Sequence, residues 1–147
     1  VEIDPAGLVR DDWLDLLMTH RLQPAFDAGE LLAVYDYPAG QCALARIRDD
    51  APPVAERFEL YLGPLELANG YHELRDAAEQ GRRFERDRAV RTERGAVSPP
   101  PDAALLSALA AGLPACAGVA VGVDRLLMAM LGSERIADAL AFDFARA

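Results

Sequence analysis

"RFELYLGPLELANGYHEL", residues 57–74, decides how this chain is read. Along 57–62 charged and apolar residues alternate. Phe58, Leu60 and Leu62 fall on one face and Glu59 and Tyr61 on the other, the period-two pattern of a half-buried strand. Gly63-Pro64 marks a turn, and "LELANG", 65–70, follows as a partner strand. Glu59, Glu66, Asn69 and Glu73 are unusual cargo for a hairpin, because a pleated surface favours branched and aromatic side chains. If pairing brings Glu59 near Glu66, two like charges share a sheet face and weaken it unless a cation lies between them. Magnesium suits such a site, since it takes one or two carboxylates and completes its shell with water and phosphate oxygens. A solvated outer face explains the same spacing, and spacing alone does not choose.

Asn69-Gly70 ordinarily marks a hairpin turn. Here the dipeptide is read as preceding a helix that runs from Glu73 to Arg94, which leaves the Asn69 amide free to enter a pocket. Glu73 then stands at a helix start, where exposed N–H groups favour an anion, and its carboxylate suits a substrate ammonium. His72 has no evident partner in sequence. It reads as a surface or core imidazole, because His20, the other histidine, is far away.

Upstream, "DDWLDLLMTHRL" (11–22) has helical spacing with acids at its start, and "LLAVYDY" (31–37) reads as a strand stopped by Pro38. "GQCALARI" (40–47) is expected to form a short helix before a loop broken by Pro52 and Pro53. Downstream, the Arg-rich segment 75–94 also carries Asp76, Glu79, Glu85, Asp87 and Glu93, so it reads as a solvated helix, not an RNA-binding stripe. "AALLSALAAGLP" (103–114) is an apolar helix ended by Gly112 and Pro114. "AGVAVGV" (117–123) is expected to be a buried strand. "DRLLMAMLG" (124–132) follows as a helix closed by Gly132, and Ser133 is placed to cap a last short helix over 134–140. Hairpin-joined strands and longer helical segments predict an α+β fold around an antiparallel sheet, within a single domain over 1–147.

Gly118 and Gly122 strip side chains from the strand before Asp124-Arg125, which often means that something approaches its backbone closely. An arginine at such a junction suits a nucleotide phosphate or stacking on a base. Close helix packing with an Asp124–Arg125 surface pair explains the same residues. The glycines precede the helix on the strand, so this is neither a phosphate-binding loop nor a dinucleotide fingerprint.

The composition narrows the classes. At 147 residues the chain suits one domain with a substantial core. Its net charge of −9 argues against non-specific nucleic-acid binding, and all 15 of its basic residues are arginine. No apolar run approaches the ~20 residues that span a bilayer, and the N-terminal stretch has no secretory pattern. Cys42 and Cys116 are too few for a disulfide framework or a zinc site, so a cytoplasmic setting is expected. The chain begins with Val1, which points to processing or a longer parent chain.

Taken together and in this order, "RFELYLGPLELANGYHEL" and "GVAVGVDRLLMAML" resemble the class II aminoacyl-tRNA synthetases of the lysyl type. The second stretch is similar to their third signature, a glycine-rich strand leading into an Arg-bearing helix. The similarity covers nearly the whole chain but only the C-terminal half of such a catalytic domain; the first two signatures are absent from these 147 residues. Within the superfamily, "YDYPAGQCALARI" and "LPACAGVAVGVDRLLMAMLG" resemble the elongation factor P lysine ligases, paralogues without an anticodon-binding domain. Lysyl-tRNA synthetases usually carry His-Pro where Tyr37-Pro38 stands and Ile-Arg-Asp where Ile136-Ala137-Asp138 stands.

The resemblance implies a class II sheet flanked by helices and a role for each matching position. Glu59 and Glu66 match acids facing ATP and Mg2+. Asn69 matches a substrate-site asparagine, Tyr71 an aromatic wall and Glu73 the carboxylate that grips the side-chain ammonium. Gly122 matches a glycine beneath adenine. Arg125 matches the catalytic arginine that stacks on the base and reaches phosphate. The implied reaction activates lysine or (R)-β-lysine as an adenylate and passes it to a lysine of elongation factor P, with tRNA disfavoured as acceptor. The full-length protein is expected to be a homodimer, and this stretch alone to be inactive. A lysyl-tRNA synthetase fragment and a non-catalytic binding module are the alternatives.

Overall fold

Strand β3 (Val54–Leu62) and strand β4 (Leu65–His72) form the expected hairpin about Gly63-Pro64, and the rest of the chain is arranged around it. The computed structural model describes residues 7–144; Val1 and the end of the aromatic tail, 145–147, lie outside them. β1 (Leu31–Pro38) pairs with β3 and β5 (Ala117–Val121) with β4, giving the order β1-β3-β4-β5, antiparallel throughout. The short β2 (Ile47–Arg48) adds to the start of β3. Four α-helices, α1 (Arg10–Leu17), α2 (Ala77–Glu93), α3 (Ala103–Ala111) and α4 (Val123–Leu131), complete the α+β architecture.

Several expectations are corrected. Residues 40–47 do not form a helix. After one tight helical turn, Ala39–Gln41, Ala43 takes a positive φ of 46°, and Ala45 bridges to Glu73. This segment instead wedges between the start of β3 and the end of β4: Arg46 N–H donates to the His72 carbonyl and Glu56 N–H to the Arg46 carbonyl. Asn69-Gly70 lies inside β4, not before a helix, and α2 begins only at Ala77. The Asp76 carboxylate decides that start by accepting from the N–H groups of Ala78 and Glu79, a cap that the alanine and arginine neighbours cannot supply. Glu73 is therefore an extended residue in a β-bridge, four positions before the first turn of α2.

The core gathers Cys42, Ala45 and Ala55, with Tyr37 and Tyr71 packed against them. α2 is solvated along most of its length, as the mixed charges suggest, but Gln80 and Arg83 are buried. Arg83 donates to the carbonyls of Ala43 (3.2 Å) and Ala45 (2.8 Å) and pairs with Glu79 at 3.1 Å, the expected four-residue spacing. It thus ties α2 to the irregular segment and satisfies two carbonyls that have left regular pairing, while its bond to Glu79 is a four-residue helix pair. His72 also has a partner after all: its Nδ1 lies 2.9 Å from the Glu56 carboxylate.

β5 is largely exposed, not buried, and among the described residues it pairs with β4 alone. Leu126, Leu127 and Met130 of α4 are exposed as well, so the apolar face of that helix lies open among the described residues. The last expected helix shrinks to one turn, Ile136–Asp138, with the Ser133 hydroxyl accepting from Arg135 N–H and donating to Asp138. Among the described residues, no helix is long and apolar enough to cross a membrane.

Candidate active site

The register of the hairpin, more than its composition, builds the site. Glu59 stands opposite Asn69, and Arg57 opposite Tyr71. Regular pairing would continue to Tyr61 and Leu67, but Leu60 faces Ala68 while Tyr61 faces Glu66, leaving Leu67 as an extra residue in β4. A bulge of this kind re-aims the side chains beyond it. Here it brings Glu66 to the face of Glu59 and Tyr61, and all three line one cavity of about 540 Å³. Glu59 and Glu66 thus line one recess without the pairing considered from sequence: Glu59 pairs with Asn69 and Glu66 with Tyr61.

Glu59 is buried and heavily solvated by protein donors. One carboxylate oxygen accepts from the Tyr37 hydroxyl at 2.6 Å and from the Tyr61 hydroxyl; the other accepts from Arg57 and from the Asn69 amide at 3.1 Å. Burial, then the hydrogen bond to Glu59, holds both phenols well above the ordinary tyrosine value, so they serve as donors. The Arg57 guanidinium also lies over the Tyr37 ring, 4.4 Å from its centroid, and donates to the Gln41 carbonyl. Burial, followed by the nearby charges of Asp11 and Asp12, raises the Asp15 carboxyl, which lines the same recess and accepts from the Gln41 amide at 2.6 Å.

A second recess, about 340 Å³, is lined by Asn69, Tyr71, Glu73, Gly118, Val119 and Ala120. It unites the three residues assigned to substrate binding from sequence, though the chain supplies them from one strand end and not from a helix start. Gly118 matters here: a Cβ at that position would come within 2.5 Å of a Glu73 carboxylate oxygen, so only glycine leaves that carboxylate its place. Asn69 connects the two recesses, because it lines this one and donates to Glu59, which lines the other.

Arg125, in the first turn of α4, reaches back to the bulge. Its Nη1 donates to the Glu66 carbonyl at 2.9 Å and lies 3.6 Å from the Glu66 carboxylate. Gly122 donates its N–H to the Leu67 carbonyl at 2.8 Å, and a side chain there would press on the Arg125 stem, with Cδ 3.3 Å away. Arg125 thus partners Glu66, the pairing with Asp124 being the alternative raised from sequence. Arg57, Tyr37 and Tyr61 were not singled out as site residues from sequence. The one signal was that Arg57 and Tyr61 flank Glu59 at i−2 and i+2, which places all three on one strand face.

An antiparallel sheet with this hairpin and a glycine-bearing strand running into an Arg-bearing helix defines a class. The chain belongs to the class II tRNA synthetase family (D, K and N), whose match spans residues 15–146. More particularly, it is similar to proteins named elongation factor P–(R)-β-lysine ligase. Those of Salmonella gallinarum (strain 287/91 / NCTC 13346), Salmonella paratyphi B (strain ATCC BAA-1250 / SPB7) and Salmonella heidelberg (strain SL476) are each 51% identical to it over 138 residues. The match covers 94% of this chain and 42% of each relative, so the chain spans less than half the length of the proteins it resembles.

Proposed function

We propose that this chain is the C-terminal part of the catalytic domain of an ATP-dependent ligase. The full-length enzyme activates lysine or (R)-β-lysine as the adenylate and transfers it to a lysine side chain of elongation factor P, in the cytoplasm and as a homodimer. The observation that carries the reading is the grouping of Asn69, Tyr71 and Glu73 in one recess, with the missing side chain at Gly118 leaving the Glu73 carboxylate its room. A carboxylate beside an aromatic wall suits an amino acid with an aliphatic stem and a terminal ammonium, because a charge-assisted bond at the end of an apolar slot rewards both parts.

In this reading Arg125 and Gly122 border the nucleotide. The arginine's planar fork addresses phosphate while its face covers the base, and the missing side chain at Gly122 leaves room for both. The hard carboxylate oxygens of Glu66 and Glu59 are the right donors for Mg2+. Glu66 is the more open of the two, whereas Glu59 already accepts four hydrogen bonds and would give one up to ligate directly. When bound, the ion neutralises phosphate charge. The chain's own contribution is orientation: Glu73 and Tyr71 fix the amino acid, Asn69 its polar end and Arg125 the nucleotide, so that the carboxylate of the amino acid meets the α-phosphate without a protein nucleophile.

Pyrophosphate release by the full-length protein, with ATP, Mg2+ and each lysine isomer, tests this. Release that depends on lysine or β-lysine from the full-length protein, and none from residues 1–147 alone, is expected. Absence of lysine-dependent release from the full-length protein would favour a non-catalytic binding module.

A further inference from the structure

Arg57 and Tyr37 line the larger recess but not the one formed by Asn69, Tyr71 and Glu73. They nonetheless bear on it. Arg57 presents Nη2 to one Glu59 oxygen and Nε to the Asn69 carbonyl oxygen at 3.5 Å, the long limit of a hydrogen bond. The same Glu59 oxygen accepts from the Asn69 NH2 group. An asparagine amide has two orientations of almost equal shape, and its neighbours choose between them. Here the choice is forced at both ends. Turning the amide over would set its NH2 against a guanidinium and its carbonyl oxygen against a carboxylate.

Arg57 is itself held from two further directions, by the Gln41 carbonyl at 3.2 Å and by the Tyr37 ring beneath it, and the other oxygen of its partner Glu59 is fixed by the hydroxyls of Tyr37 and Tyr61. Phe26 meets the Tyr61 ring edge-on, with centroids 5.3 Å apart, and limits its movement. The order of dependence runs from Tyr37 to Arg57 and Glu59, and from these to Asn69.

We propose that Arg57 and Tyr37 are positioning residues for the amino-acid recess, acting through Glu59 to fix which end of the Asn69 amide faces the substrate. This rests on the ligase reading above. It explains why a strand carries an Arg, a Glu and a Tyr on alternate positions: one carboxylate with four donors makes a rigid hub, and Asn69 is the only member of that hub that lines the substrate recess.

The test is a double-mutant cycle on the full-length protein, read by amino-acid-dependent ATP–pyrophosphate exchange and by thermal unfolding. Arg57→Met is expected to raise KM for the amino acid at least about tenfold, and by less than about twofold when Asn69 is already alanine, because effects passed through one residue are not additive. Tyr37→Phe keeps the ring under the guanidinium and removes only the hydroxyl, so it remains informative if Arg57→Met fails to fold. It is expected to raise the same KM about threefold, again only while Asn69 is present. Effects that multiply in the Asn69→Ala background, or variants that melt earlier at unchanged KM, would overturn the proposal. Exchange only with an amino acid lacking a side-chain amine would sink the lysine reading but leave the cycle to be run with that acid. No exchange with any amino acid would overturn both.

Discussion

Arg125 and Glu66, 59 positions apart in sequence, meet at the bulge of β4: the guanidinium donates to the Glu66 carbonyl at 2.9 Å and stands 3.6 Å from its carboxylate. One contact thereby joins α4 to the acidic hairpin. On the ligase reading, Arg125→Lys in the full-length protein is expected to keep the fold but to weaken ATP use by at least about tenfold, or ~1.4 kcal/mol. An ammonium can reach the carbonyl, but it offers neither the planar face nor the fork. Melting temperature and ATP-dependent pyrophosphate release on one preparation check this. Wild-type nucleotide kinetics would make Arg125 a structural clasp only.

Gly118→Ala places a Cβ where the Glu73 carboxylate stands. The carboxylate, at the end of a flexible side chain, gives way before the sheet does. The expected result is a rise of about tenfold or more in KM for lysine or β-lysine, with a stability loss below about 1.5 kcal/mol. Steady-state kinetics alongside a urea unfolding curve separate the two quantities.

Glu73→Gln keeps the shape of the recess and removes its charge. If the ammonium is buried against Glu73, affinity for the amino acid falls by several kcal/mol, about 3–5 when a buried ion loses its partner. Calorimetric titration of the full-length variant measures it. Unchanged affinity would remove Glu73 from the substrate site.

Arg83→Met leaves the carbonyls of Ala43 and Ala45 without their donor while retaining an apolar stem of similar length. A loss of about 1–3 kcal/mol in unfolding free energy is expected, since each orphaned acceptor bears its desolvation cost. The chemical-denaturation midpoint reports it, and a neutral result would mean that water replaces the guanidinium.

The pH dependence of stability has a definite sign. Arg46 beside Glu56, Arg82 beside Glu79, the N–H groups capping Asp76 and Arg94 beside Asp12 each hold a carboxyl below its ordinary value. The unfolded chain takes up these protons first as pH falls. The stability they contribute is therefore complete above the ordinary values of 3.8 for Asp and 4.5 for Glu, and is lost as pH falls through the lower folded values. Asp15, held high by burial, runs the other way and regains stability on protonation. The denaturation midpoint is expected to drop from about pH 5 to about pH 3, and less steeply in Glu79→Gln. A flat profile would contradict the pairings.

The hairpin was legible because Phe58, Leu60 and Leu62 alternate with Glu59 and Tyr61, and strand alternation is a local property. The bulge at Leu67 was not, since no residue type announces it; it appears only when β3 and β4 are paired. The same holds for Asn69-Gly70, whose turn preference is overridden by ladder bonds to β3 and β5 on either side. The helical look of residues 40–47 came from their alanines, and that preference loses to the backbone bonds linking Leu44 and Arg46 to Leu74 and His72. Asn69 and Glu73 were singled out from the residues themselves, on a helix start that proves to lie four positions later, and Tyr71 by resemblance. Arg57 carried only the signal of its i−2 position to Glu59, and Tyr37 is recognised by following the hydrogen bonds that converge on Glu59.

The most direct test offers the full-length protein radiolabelled (R)-β-lysine or lysine, with ATP and Mg2+, and presents elongation factor P and tRNA as competing acceptors. Label in an amide on elongation factor P, none on tRNA, and loss of that label in the Glu73→Gln variant are expected. Label on tRNA alone, or transfer to elongation factor P that survives Glu73→Gln unchanged, would contradict the ligase reading.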